Sequence, residues 1–461
     1  MLPTAVKQYL DSHHQQNLDK FFELVRIPSI ANRNDGQCLK AAQWLVKFLT
    51  DLGVQAKIEQ VSLPTGKGQP VVFGKAHASP SAPTVLIYGH YDVQPPEPLE
   101  LWESAPFEPV VRDGAVYARG ANDDKGQLFT HLMALEAYVR TGTPLPVNLT
   151  LLIEGEEENG SPTLEEFIRT HAADLKADAT LVSDSEFFAP GVPAITYGLR
   201  GVSHYELTVE EADHDVHSGL NGGALRNPIH VVAEMIAGLH DADGRITLEG
   251  FYDNVLPLSE AERESWKKLP FDEPGYARSL GVDFLGGGEK AFTVLERLWA
   301  RPTLDMNGMI GGYTGPGGKT IIPARASAKI SIRTVPNQDP VKIAGALEKY
   351  IRDHTPKGMK SKLEVGSLNR PVLLKMDSPA MRAARNALKF AFGAEAAMIR
   401  CGASVPVTEM LQRLLGQETV MMGFGLPDDR LHSPNERFRL EQFYNGALAS
   451  AAVLAELSKK Q

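Results

Sequence analysis

Three short apolar runs constrain this chain more than any other feature: TVLIYGH from Thr84, VNLTLLI from Val147 and ATLVS from Ala179. Each reads as a buried strand. Helical segments separate them. Residues around 4 to 26 read as helix, and CLKAAQWLVKFLTDLG forms another that stops at Gly53. In DDKGQLFTHLMALEAYVRTG, Leu128, Leu132, Leu135 and Val139 recur at helical spacing up to Gly142. SPTLEEFIRTHAADL opens with a capping-box pattern, Ser161 or Thr163 followed by Glu165 or Glu166. Apolar strands alternating with helices predict an α/β fold, its mainly parallel sheet flanked by helices. In such sheets ligands collect at the carboxyl ends of the strands.

Those ends carry polar groups. The first run delivers His90, with Asp92 two residues on, and the third delivers Asp184. The second leads into Glu154, Glu156, Glu157 and Glu158, four acids in five positions. YARGANDDKG places Asp123 and Asp124 before a helix, and GLPDDRLHSPNE offers His432 after the apolar stretch ETVMMGFG. Each has an ordinary reading: a hydrogen-bonded histidine, a helix N-cap at Asp123 or Asp124, a turn at Asp184, a solvated acidic loop. Together they fall on one edge of one sheet. Imidazole and carboxylate without thiolate suits hydrolytic zinc, manganese or cobalt sites. Asp92 is placed to accept the second ring N–H of His90. One carboxylate can bridge two ions, and a second, non-ligating carboxylate can carry a proton from water to a leaving amine. Adjacent glutamates can supply a ligand and a base together.

Beyond Gly198 the texture changes. SHYELTVEE and SAKISIRTVP read as half-exposed strands, with helices near 227–240 and 339–354, which predicts a smaller α+β domain inserted into the first. From Ser378 the α/β style resumes and ends in a helix from about Leu440 to Lys459. A chain of 461 residues is long enough for two or three cores. Net charge is −10 without a long single-sign block, which argues against nucleic acid or an anionic membrane as partner. Cys38 and Cys401 are too few for a disulfide framework or a thiolate cluster. With no signal-peptide stretch and no run long enough to span a bilayer, a cytoplasmic protein is expected.

The stretch GHYDVQPPEPLELWESAPFEPVVRDGAVYARGANDDKGQ closely resembles the carnosine dipeptidase branch of the two-metal exopeptidases. That family also holds carboxypeptidase G, aminoacylase, acetylornithine deacetylase and succinyl-diaminopimelate desuccinylase. EGEEENGS, SDSEF, ITYGLRG, DVHSG, GGKTIIP, SIRTVPN and LHSPNE are similar to further family blocks in the same order. The resemblance implies a catalytic domain over 1–200 and 372–461 and a lid and dimerisation domain over 201–371. It implies two divalent ions per subunit, zinc first, with manganese or cobalt as alternatives. One would take His90 and Asp184, the other Glu158 and His432, with Asp123 bridging and a cis peptide after it. Gly160-Ser161 anchors the glutamate register, which makes Glu157 the general base and leaves Glu156 solvated or supporting a ligand. His217 would hold the oxyanion, reaching the partner subunit's site in a homodimer. Arg333 would bind the substrate carboxylate, with Thr320 and Ser404 near the substrate. The implied activity is hydrolysis of dipeptides or short peptides, with deacylation of N-acyl amino acids as the alternative and a catalytically inactive scaffold as a third. Two positions depart from the branch: Cys401 replaces a glutamate and Ser367 a histidine. Both bear on substrate preference, and carnosine itself is not expected.

Overall fold

In the computed structural model, which describes residues 2–64 and 66–459, the apolar runs become neighbouring strands. Asn148–Glu154, Thr84–His90, Ala179–Val182 and Thr419–Met421 lie side by side and parallel. Their interiors are wholly buried, as continuous apolar runs require. Antiparallel strands flank this centre. Val71–Ala76 and Gln55–Glu59 extend one side, and Ala194–Leu199 pairs beyond Thr419–Met421 on the other. The sheet is therefore mixed, and its parallel part carries every strand end singled out above.

Lys125–Arg140 packs against Thr84–His90 and is buried on almost every side, not only along the predicted stripe. The N-terminal helices and Leu440–Leu457 cover its other faces. Phe129 meets Phe21, Trp44, Phe48 and Phe443 there. The expected helix over 4 to 26 is two, Thr4–Ser12 and His14–Val25, broken at His13. The helix after SPT is likewise two, Leu164–Thr170 and Ala172–Leu175, and no side chain caps the first. The capping-box residues bond elsewhere: Ser161 Oγ donates to Glu154 and Thr163 Oγ1 to Glu156. Pro379–Phe392 and Pro406–Leu415 each open on proline and close on a left-handed glycine, Gly393 and Gly416.

The chain divides into two units. One runs to Tyr197 and includes Leu374–Ile399 and the chain from Val405; the other is Gly198–Leu373 with Arg400–Ser404. The second unit is α+β. Its antiparallel sheet has the order Thr303–Gly311, Arg325–Thr334, Gly201–Glu210, Lys360–Leu368. Alternate residues of the central strands, among them Leu207, Val209, Ile330 and Ile332, share a core with Val232 and Leu347. Those last two belong to helices Pro228–Gly238 and Pro340–His354, capped by the Asn227 and Asp339 side chains. Among the described residues no helix is long and apolar enough to cross a membrane.

Two glycines allow close packing around the NDDKG segment: Gly89 lets helix Lys125–Arg140 approach its strand, and Gly126 lets the preceding turn lie against the start of that helix. A Cβ at Gly126 would lie 1.9 Å from the Ala121 carbonyl oxygen, and one at Gly89 would lie 2.9 Å from Leu128 Cδ1. Backbone oxygen has little freedom to retreat. Gly126→Ala is expected to cost about 1–3 kcal/mol through overpacking. A lower denaturant midpoint at unchanged slope is the readout.

Candidate metal centre

His90 is the last residue of Thr84–His90, and its ring is fully buried. Its Nδ1 faces the Asp92 carbonyl at 3.1 Å and the Asp92 carboxylate at 3.3 Å. Both are acceptors, so Nδ1 carries the proton and Nε2 presents a lone pair. That Nε2 makes no hydrogen bond of good geometry, although Asp123 Oδ1 stands 3.2 Å away. A buried lone pair aimed at a carboxylate fits a cation between them.

Asp123 reaches the other way as well. Its Oδ2 is 3.0 Å from His432 Nε2, which is 3.2 Å from Glu158 Oε2. Two donor groups result. His90, Asp123 and Asp184 offer atoms all within 4.8 Å of one another, as do Asp123, Glu158 and His432. Asp123 belongs to both. The Asp123–Asp124 peptide is cis, and His432 sits at φ +59° on its loop. Asp124 does not cap the following helix with its side chain; its carboxylate accepts the His90 backbone N–H at 3.2 Å.

The glutamates divide by their partners. Glu157 and Glu158 lie in one short 3₁₀ turn, Glu157–Asn159. The Asp92 carboxylate accepts both their backbone N–H groups, at 3.2 and 3.0 Å, beside its contact with His90. Gln94 Nε2 holds the Glu158 carboxylate at 2.7 Å. Glu156 is not solvated: it is buried and accepts N–H groups from Thr163 and Gln69 at 2.8 and 2.9 Å. Glu154 is fully buried and accepts from Tyr88 and Ser161 hydroxyls. Asp92, Gln94 and Glu156 thus fix a turn whose shape the sequence does not display.

The electrostatics follow from crowding. Burial and the neighbouring Asp123 push Asp184 up to about 7. Burial raises Glu157 well above the ordinary carboxylate range, against the opposing pull of His90. Burial opposes charge on His90, but the close carboxylates of Asp123 and Asp92 prevail and raise it. His432 is pushed up to about 11 by its bonds to Asp123 and Glu158. Protons are retained where acids are packed faster than the protein can neutralise them, an arrangement suited to divalent cations.

The remaining predicted residues lie in the second unit, in two groups. Arg333 Nη1 donates to Ser404 Oγ at 3.2 Å, and Ser404 Oγ donates to the Arg200 carbonyl at 2.6 Å. Burial and the charge of Arg333 push Arg200 down to about 10. His217 is exposed, and its Nδ1 accepts the Gly219 N–H at 3.0 Å. Its strand Val216–His217 pairs with Ile321–Ile322, and the Thr320 carbonyl accepts the Ser218 N–H at 3.0 Å.

Residues 86–456 match the model of peptidase family M20/M25/M40. The chain belongs to that family. Members similar to it include human Beta-Ala-His dipeptidase, 33% identical over 89% of this chain and 81% of that one. The Cys-Gly metallodipeptidase DUG1 of Saccharomyces cerevisiae is 30% identical over 99% of this chain and 98% of that one. Among solved structures, a metallo-carboxypeptidase of the M20 family from Sulfolobus solfataricus superposes with a TM-score of 0.87 at 33% identity, covering 96% and 99% of the two chains. Human carnosine dipeptidase 1 gives 0.84 at 30%, covering 99% and 100%. This M20 chain is a metallopeptidase, a hydrolase with a catalytic and a lid domain in the manner of its relatives.

Glu154 gives a test of the crowding. Burial pushes its carboxyl from 4.5 to about 8. A group whose folded value is raised binds its proton more tightly folded than unfolded. Its favourable contribution is full below the unfolded value and is lost as pH rises through the folded one. In chelator, Glu154→Gln is expected to gain stability relative to the parent between about pH 5 and 8.5, read as the difference in melting temperature.

Proposed function

We propose that this chain is a two-metal exopeptidase that hydrolyses the amide bond of dipeptides or short peptides beside a free carboxylate. The observation that carries this reading is the pair of donor groups sharing Asp123, with Glu157 next to the ligand Glu158. His90 and Asp184 would hold one ion, Glu158 and His432 the other, and Asp123 both. Zinc suits imidazole and carboxylate donors, and manganese or cobalt fit the same set. Bound ions polarise the scissile carbonyl and acidify water.

The chain's own residues do the rest. A Glu157 carboxylate oxygen takes a proton from the attacking water. The water oxygen bonds to the carbonyl carbon, and the C–N bond breaks as Glu157 returns that proton to the leaving nitrogen. Glu157 needs its ionised form to act as a base, and the neighbouring His90 favours that form against the burial that raises it. Asp92 holds the backbone of Glu157 and Glu158, so base and ligand keep a fixed relation. His217 supplies a donor to the developing oxyanion, and Arg333 with Ser404 binds the substrate carboxylate. The second unit serves as lid and dimer surface, and the enzyme works in the cytoplasm.

The relatives' names support peptides as substrates, since they describe dipeptides of different side chains. Their common chemistry is one amide joining two residues, the second of which carries a free carboxylate. Cys401 and Ser367 set this chain's own preference within that class.

With zinc loaded, Glu157→Gln is expected to lower kcat about 10²–10⁴-fold while bound metal stays at the parental level. Near-normal turnover with full metal would overturn the assignment. Asp123→Asn is expected to weaken both ions together, measured as metal content after dialysis. Turnover of N-acyl amino acids in preference to dipeptides would replace the peptidase reading with a deacylase.

A further inference from the structure

Glu436 lies outside both donor groups, yet it is fully buried and its carboxylate takes four N–H donors. Oε1 accepts the backbone N–H of Asn122 at 3.0 Å and of Asp123 at 3.1 Å. Oε2 accepts Gly120 N–H at 3.0 Å and Arg119 Nη1 at 2.6 Å. The geometry comes from a strand pair. Arg437–Arg439 lies antiparallel to Ala115–Tyr117, with Arg437 opposite Tyr117, and the Ala118 N–H donates to the Glu436 carbonyl. The pairing sets Glu436 beneath the turn from 118 to 123. A second tie runs alongside: Asp429 Oδ2 accepts from Asn122 Nδ2 and from the Leu426 N–H, both at 2.8 Å.

From this juxtaposition we infer that Glu436 is a positioning residue for metal binding, acting through the backbone of Asp123 and tying that turn to the loop that carries His432. The inference rests on the two-ion reading above. Three facts support it. The backbone donors, Gly120, Asn122 and Asp123, come from one turn that ends at the residue shared by both donor groups. Arg119, itself buried, supplies the charge that lets the carboxylate stay in the interior. All four partners are donors, so only an acceptor with two oxygens satisfies them. An amide cannot. Glutamine at 436 would keep one oxygen and turn its NH₂ toward two N–H groups. Leaving buried donors unmet displaces the turn, and Asp123 moves with it.

The test uses the full chain and Co²⁺ alone, with affinities from chelator competition and the visible spectrum of bound Co²⁺ as a second readout. Glu436→Gln is expected to weaken both Co²⁺ equivalents about 10–100-fold, the range for residues that orient a ligand from behind. The spectrum should change for both. Glu436→Asp keeps the charge but shortens the reach, and is expected to fall between. Both equivalents must weaken because Asp123 serves both groups. Parental affinity in a folded Glu436→Gln protein overturns the inference. So does loss confined to the one equivalent that His432→Ala also removes, since Glu436 would then serve only its own loop. If Glu436→Gln does not fold, Glu436→Asp decides: parental affinity overturns the inference, and joint weakening upholds it. A parent that takes up fewer than two Co²⁺ equivalents overturns the two-ion reading itself, and the inference with it.

Discussion

Everything at this site depends on one carboxylate with two faces. Asp123 meets His90 with one oxygen and His432 with the other. No single element could supply both neighbours. His90 ends a central strand, Asp123 precedes a buried helix, and His432 sits on a loop 309 positions after Asp123. The fold brings these together by placing parallel strands at the centre of the sheet and letting their ends open onto one edge. Gly89 and Gly126 permit the close packing that holds the turn there. Lys125, two residues past Asp123, is buried and donates to the Leu24 and Ile27 carbonyls, which anchors the same turn from the opposite side.

Crowded acids are destabilising until something compensates them. The protein meets this in two ways. Where no cation is due, it uses hydrogen bonds: Glu156 takes N–H groups, Glu154 takes hydroxyls, and Glu436 takes backbone and Arg119. Where a cation is due, it sets imidazoles beside raised carboxyls and leaves their donor atoms facing one another. Neighbouring glutamates in one run therefore serve opposite ends. Glu156 braces the turn from within, and Glu157 and Glu158 face the donor groups.

The strands, their burial and the residues at their ends were legible because apolar runs and polar termini are local properties of a sequence. The grouping of His90, Asp123, Asp184, Glu158 and His432 was legible only jointly, since each alone has an ordinary reading. The sequence leaves Glu156 open between solvated and supporting a ligand because its partners, Gln69 and Thr163, come from different segments. The capping pattern at Ser161 and Thr163 misled for the same reason: both hydroxyls are drawn to buried glutamates instead of the helix start. Glu436 gave no signal of its own. Three of its four donors are backbone N–H groups, which every residue but proline possesses, and the fourth, Arg119, lies 317 positions away in the sequence.

The sheet order has a consequence for how the molecule is made. Thr419–Met421 lies between Ala179–Val182 and Ala194–Leu199, two strands that leave the ribosome long before it. Until it arrives, the nascent sheet holds an open slot with an unpaired edge on either side. Ala179–Val182 is wholly apolar and buried in the finished protein, so an incomplete chain presents an adhesive strand edge. Closure of that slot also delivers the loop bearing His432. Completion of the sheet and completion of the donor set thus wait on the same late stretch of chain.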